Sequence, residues 1–242
     1  MSNFVHLNNS TKMKKVLVAA AFAALFFAQG AKAQTNFQTF YDFGRKHFTT
    51  TLEGFHQDNW GNTFFFIDYD YNNKVDNVVV SPSGSYFEIA RCLNFWNDTA
   101  LAPLSLQVEY NGGLGLGFGI NSAFLVGVDW FLHSGDFKNT LNLKVLYKKF
   151  VKMPSNVPLQ FTAVWGCQDL FGLEKLRFSG FVDFWCEYDN LVILSEPQLW
   201  YGIGDHFNIG GEVELSYNFG GLEFTTGKKF NVMPCIGTKW VF

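Results

Sequence analysis

Phe64, Phe66, Asp68 and Asp70 occupy every second position of the segment running from Gly61 to Asp70, and on a β-strand that spacing puts all four side chains on one face. Two flat rings followed by two carboxylates suit a solute with a planar ring and hydroxyls. Ring faces stack on a nucleobase for about 1–3 kcal/mol, and carboxylates accept hydrogen bonds from hydroxyl and amino groups. The rings could equally fill a narrow barrel. Asp68 could equally be a structural charge, because buried ionisable groups in such a wall are paired.

The sequence offers little for catalysis. It holds no His-Glu-x-x-His, no Gly-x-Ser-x-Gly and no Cys/His cluster at metal-binding spacing. His47, His56, His133 and His206 are scattered over separate strand ends. The protein is therefore expected to be no enzyme and to need no cofactor; a hidden Ser–His pair on a barrel wall is a third reading. The run from Gly112 to Gly119 is not followed by a helical pattern or by Lys-Ser/Thr, so it reads as an outer hairpin rather than a phosphate loop. Cys92, Cys167, Cys186 and Cys235 are irregularly spaced and read as free strand residues.

The elements that must position these residues follow from the ends and the composition. Met13-Lys14-Lys15, the apolar run Val16 to Phe27 and the triplet Ala31-Lys32-Ala33 form an export signal. Residues 1–33 are expected to be removed, with Met13 a possible start and Gln34 the mature N-terminus. That removes Lys12, Lys14, Lys15 and Lys32 but no acid, so the charge becomes (18 − 4) − 21 = −7. Nucleic acid is an unsuited partner for so acidic a chain. Hydrophobic residues make up 48% of the chain and aromatic residues 19%. Even so, the mature segment has no apolar run of roughly 18 residues, the length a membrane helix requires. A transmembrane barrel reconciles the two facts, because each strand needs only about 9–11 residues and alternates a lipid face with a lumen face.

Alternation recurs along the whole mature chain. Leu104, Leu106, Val108 and Tyr110 alternate with Ser105, Gln107, Glu109 and Asn111; Leu141, Leu143, Val145 and Tyr147 alternate with Asn142, Lys144, Leu146 and Lys148. Arg177, Ser179, Phe181, Asp183, Trp185 and Glu187 form a polar face mixed with aromatic rings, which suits a narrow lumen better than open water. The pattern predicts strands at 36–44, 47–56, 60–70, 84–96, 103–111, 121–133, 139–150, 158–168, 175–188, 191–203, 207–219 and 229–242. An even number of antiparallel strands fits a closed, up-and-down, all-β outer-membrane barrel over 34–242, of about twelve strands. Ile236, Thr238, Trp240 and the terminal Phe242 share a face. That ending resembles the signal read by the barrel-assembly machinery, which is thus an expected partner.

With the N-terminus on the periplasmic side, the longer, Gly- and Asn-containing connections face outward. Arg45, Lys46, Lys148, Lys149, Lys152, Lys228 and Lys229 then gather at the outer rim. Lipid-A phosphates would suit such a rim, and solvated strand ends explain it as well.

A further set of residues comes from a resemblance. Leu52-Glu53, the stretch Asn59-Trp60 through Asp68, Ser81-Pro82 and Phe87-Glu88-Ile89-Ala90-Arg91 resemble the Tsx-like nucleoside-specific channel-forming proteins of the outer membrane. That family has a Leu-Glu strand, a Trp before an aromatic strand ending in Asp, and a Ser-Pro loop before a strand with Glu and Arg. The chain departs from it in a shorter Glu-to-Arg interval and a shorter loop after Asp68. The resemblance implies a monomeric passive channel for nucleosides or similar small aromatic solutes. It adds Glu53, Trp60, Glu88 and Arg91 to Phe64, Phe66, Asp68 and Asp70 as lumen residues. Asp68 and Glu53 would then meet either the solute or Arg91. The alternative is a non-conducting structural or lipid-binding barrel.

Overall fold

The computed structural model describes residues 33–116 and 118–242. Apart from Ala33, the expected export segment lies outside the described residues. The alternating stretches form strands β1 (Ala33–Asp42), β2 (His47–Asp58), β3 (Gly61–Tyr71), β4 (Asn73–Val75), β5 (Val78–Ser81), β6 (Gly84–Leu93), β7 (Leu104–Gly115) and β8 (Phe118–His133). They continue as β9 (Asn139–Phe150), β10 (Leu159–Gln168), β11 (Leu176–Glu187), β12 (Asn190–Ser195), β13 (Gln198–Ile203), β14 (Phe207–Tyr217) and β15 (Phe230–Val241).

Every pairing between these strands is antiparallel, and the ring closes where β1 meets β15, with Thr39 opposite Thr238. β4 and β5 form a separate hairpin beyond the wall. β12 and β13 are two halves of one stave, since both pair with β11 and with β14. The barrel therefore has twelve staves, as the alternation predicts. The broken stave has a local cause. Pro197 has no N–H to give to the ladder, and the chain bulges at Glu196-Pro197 over Gly180, where a Cβ would lie 2.5 Å from the Glu196 carbonyl oxygen.

The arrangement of surfaces is inverted relative to a water-soluble protein. Leu106, Val108, Phe124, Val126 and Trp130 point away from the barrel and are about half exposed, whereas Gln38, Gln107 and Ser216 point inward and are almost fully buried. Rings also pack against one another on the outside, with Tyr110 4.8 Å from Phe124 and 5.5 Å from Phe87. So continuous an apolar belt has no place in water. A closed antiparallel barrel leaves no backbone group unpaired in lipid, so the molecule has the build of a bacterial outer-membrane protein. Among the described residues no helix is long and apolar enough to cross a membrane.

Both ends of the described chain lie on one side, the Phe242 amide donating to the Thr35 carbonyl at 2.9 Å. That side is the inner end expected from the sequence. Inner connections cover 59–60, 94–103, 134–138, 169–175 and 204–206; outer ones cover 43–46, 72–83, 151–158, 188–189 and 218–229, with the link between β7 and β8 at the same end.

Two expectations are corrected. The glycine run is mostly wall: Gly112–Gly115 pair in β7 and Gly119 in β8, around a register shift. Close backbone contact requires glycine there, since a Cβ on Gly113 would sit 2.2 Å from the Ser85 carbonyl oxygen. The strand expected over 84–96 stops at Leu93 because Asn94 turns the chain, its amide donating to the carbonyls of Ala102 and Leu104. The outer connection after β14 carries a helical turn, Leu222–Thr226. The four cysteines are free, as expected.

Candidate functional site: the barrel lumen

Pairing registers fix what faces the lumen. Glu53 lies opposite Phe66, Thr51 opposite Asp68 and Thr49 opposite Asp70; across the next seam Phe66 meets Glu88 and Asp68 meets Tyr86. Phe64, Phe66 and Tyr86 thus form a ladder of rings climbing from the inner end, with centroid separations of 6.0 and 5.8 Å. The carboxylates beside it are held from the neighbouring strand. Thr51 Oγ1 donates to Asp68 at 2.5 Å and Thr49 Oγ1 donates to Asp70 at 2.7 Å. Asn36 Nδ2 donates to Glu53 at 2.8 Å. His47 Nε2 lies 3.3 Å from Asp70. These contacts aim the carboxylates and leave each with spare acceptor capacity for a solute.

Midway along the lumen the wall is acidic on most sides. Glu196 lies within electrostatic reach of Glu212, Glu214 and Asp68, and Glu88 within reach of Glu109 and Asp183. The compensating bases stand mainly on β9. Lys144 faces Asp129 across the β8–β9 seam, and Lys148 donates to Gln160 Oε1 at 2.7 Å with its ammonium over the rings of Trp185 and Phe150. Towards the outer end that same wall is apolar: Leu125, Leu146, Phe150, Trp185 and Val192 pack together with Met153, which folds in from the outer connection.

At the inner end the lumen holds a cavity of about 220 Å³ lined by Asn36, Glu53, Gln168, Arg177, Trp200 and Lys239, among others. Lys239 lies 4.5 Å from the centre of the Trp200 ring. Among the described residues no group of His, Cys, Asp or Glu is arranged to hold a metal ion.

The structure brings six of the eight expected lumen residues to the lumen: Glu53, Phe64, Phe66, Asp68, Asp70 and Glu88. Trp60 and Arg91 are corrected. Trp60 sits in the inner turn between β2 and β3, exposed and edge-on to Phe95 at 6.0 Å. Arg91 faces outward, where it bonds Asp58 at 2.8 Å and Thr63 at 3.1 Å. Its interval from Glu88 is odd, and a period of two sends the pair to opposite faces. Asp68 and Glu53 are accordingly held by Thr51 and Asn36 and not by Arg91.

The outer rim is corrected in two places. Lys46, Lys149, Lys152, Lys228 and Lys229 are exposed at that end. Lys148, in contrast, is buried inside the lumen, and Arg45 turns inward to bridge Asp42 at 2.7 Å and Glu214 at 2.5 Å. Tyr86, Asp183, Glu196, Arg177 and Lys239 were not among the expected site residues. The signal for them is present in the sequence as the polar positions of each alternating strand. What it lacks is their height in the barrel.

A family model described as Domain of unknown function (DUF5020) matches residues 33–242. A search of the curated proteins finds no match. Among solved structures, a KdgM porin is similar at a TM-score of 0.50 and 10% identity, covering 86% of this chain and 99% of that one. KdgM porin in complex with disordered oligogalacturonate gives a TM-score of 0.49 at 10% identity, over 86% of this chain and 99% of that one. The outer membrane protein Omp33 of Acinetobacter baumannii gives 0.45 at 10% identity, over 88% and 98%. At such identities the likeness is one of fold.

Proposed function

We infer that this chain, which belongs to the family described as Domain of unknown function (DUF5020), is a passive outer-membrane channel selective for nucleosides or similar small aromatic solutes. The observation that carries this reading is the ring ladder Phe64, Phe66 and Tyr86 on the lumen wall, flanked by the carboxylates Asp68 and Glu88. Stacking on successive rings is weak and repeated, which lets a solute enter and leave, while hydroxyls and base edges hydrogen-bond to the carboxylates. The acidic mid-lumen disfavours nucleotides by repelling their phosphates. The protein acts as a monomer, exported by its N-terminal signal and inserted by the barrel-assembly machinery; a closed ring has no free edge through which copies would pair.

Liposome swelling with adenosine, thymidine, and sugars and amino acids of similar size tests this reading. Faster entry of the nucleosides supports it. Equal rates for all solutes would leave a general pore, and no entry by any would remove the channel reading altogether.

A second reading has its own support. Leu125, Leu146, Phe150, Met153, Trp185 and Val192 fill part of the outer lumen, as they would in a plugged barrel that conducts nothing and meets lipid-A phosphates through Lys46, Lys149, Lys152, Lys228 and Lys229. A planar bilayer separates the two. A current blocked by adenosine belongs to the channel, and silence belongs to the plug.

A further inference from the structure

We propose that the inner vestibule of the lumen is an anion subsite, which takes a carboxylate or phosphate group between Arg177 and Lys239. The subsite lies apart from the ring ladder and does not require the lumen to conduct.

The vestibule is an open cavity of about 220 Å³ at the inner mouth, with Gln34, Gln168 and Val241 at its lip and Arg177, Lys239, Asn208 and Glu53 on its walls. Arg177 comes from β11 and Lys239 from β15; Lys239 lies within electrostatic reach of Glu53 and Glu212 as well as of Arg177. Among the described residues neither forms an ion pair with a carboxylate. Glu53 is the carboxylate in the cavity; it accepts a hydrogen bond from Asn36 and lies within electrostatic reach of Lys239 without an ion-pair contact.

Lys239 is positioned rather than loose. Its ammonium rests over Trp200 and reaches Gln198 Oε1 at 3.5 Å, which leaves donors free for a ligand. The Arg177 guanidinium supplies a planar fork that matches two oxygens of a carboxylate or phosphate. A free anion in the cavity would meet two cations that have no direct ion-pair contact. It can reach them from the inner mouth without crossing the acidic belt around Asp68, Glu88 and Asp183.

The test is ligand-observed NMR of the folded, detergent-solubilised protein at low ionic strength, with inorganic phosphate followed by ³¹P line width and ¹³C-acetate by ¹³C line width. Saturable broadening is expected with at least one probe, and which probe responds tells whether the site prefers phosphate or carboxylate. The double variant Arg177→Gln with Lys239→Gln should abolish the broadening, while Lys74→Gln, on the exposed β4–β5 hairpin at the other end of the barrel, should keep it. Arg177→Gln alone leaves Lys239 over Trp200 and serves if the double variant does not fold; it should weaken binding by roughly tenfold, as the loss of one charged hydrogen-bonding partner does. No saturable broadening with either probe, or unchanged broadening in the folded vestibule variants, would overturn the proposal. Nucleoside entry into liposomes is scored separately, so failure of the subsite and failure of the transport reading are distinguishable.

Discussion

Lys148 holds its ammonium 4.3 Å from the centre of the Trp185 ring, so a cation on β9 is fixed by an aromatic ring two staves away on β11. The same ammonium donates to Gln160 on the strand between them. A charge withdrawn from water in this way is tolerated because three strands satisfy it together.

Lys148→Met is therefore expected to destabilise the barrel by about 2 kcal/mol, the size of a desolvated cation–π contact. Urea unfolding in lipid vesicles measures it. A variant as stable as the wild type would show that Lys148 contributes nothing to the wall.

Arg45 bridges two carboxylates that are themselves nearly buried, Asp42 and Glu214. Arg45→Ala leaves both without their cation, and removing one member of a buried ion pair costs roughly 3–5 kcal/mol. Arg45 is 28% exposed, so the expected loss lies at or below the lower end of that range, about 3 kcal/mol. Arg45→Lys should recover only part of it, because a single ammonium cannot reproduce the fork. The same unfolding assay compares the three proteins.

Phe66 is the middle rung of the ring ladder. Phe66→Ala is expected to slow adenosine entry by roughly tenfold, in proportion to one lost stacking contact, with sugar entry little changed. An equal fall for both solutes would mean that the ring shapes the pore without recognising the base.

Gly180 lies beneath the Glu196-Pro197 bulge, where a Cβ would approach Pro197 Cα to 2.8 Å. Gly180→Val should cost about 1–3 kcal/mol or more by overpacking. It should also lower the yield of folded barrel, read from the heat-dependent shift in gel mobility. Gly119 has open space around its would-be Cβ, so Gly119→Ala is the control that should fold normally.

At the inner end Lys138 bonds Asp169 across two turns at 2.7 Å, and this hydrogen bond holds the Asp169 carboxyl below its usual range. A depressed carboxylate pKa contributes stability at neutral pH and above. That contribution is lost as pH falls through the folded-state value, which lies under the ordinary aspartate value of about 3.9. Both groups are solvated, so the effect is small and screened by salt. The difference in unfolding midpoint between wild type and Asp169→Asn should shrink towards zero in strong acid and in high salt.

The sequence by itself determined which way most side chains point. In a strand the period is two, so the faces of the Leu141–Lys148 ladder, the lumen position of Phe64, Phe66, Asp68 and Asp70, and the outward turn of Arg91 were all fixed by parity. The odd interval from Glu88 to Arg91 sends Arg91 outward, against the lumen position that the resemblance implies. Trp60 likewise stood beside Gly61 in a turn rather than in the wall. Only the tertiary structure decided heights and meetings. Lys148 stands near the outer end of its own strand, but its level relative to Gln160 and Trp185 depends on how the staves are staggered when the ring closes. The inward reach of Arg45 to Glu214, 169 residues away in sequence, and the presence of Arg177 and Lys239 in one cavity at the inner mouth have the same origin. Alternation is local and can be read from a few residues, whereas the shear of a closed barrel belongs to all twelve staves at once.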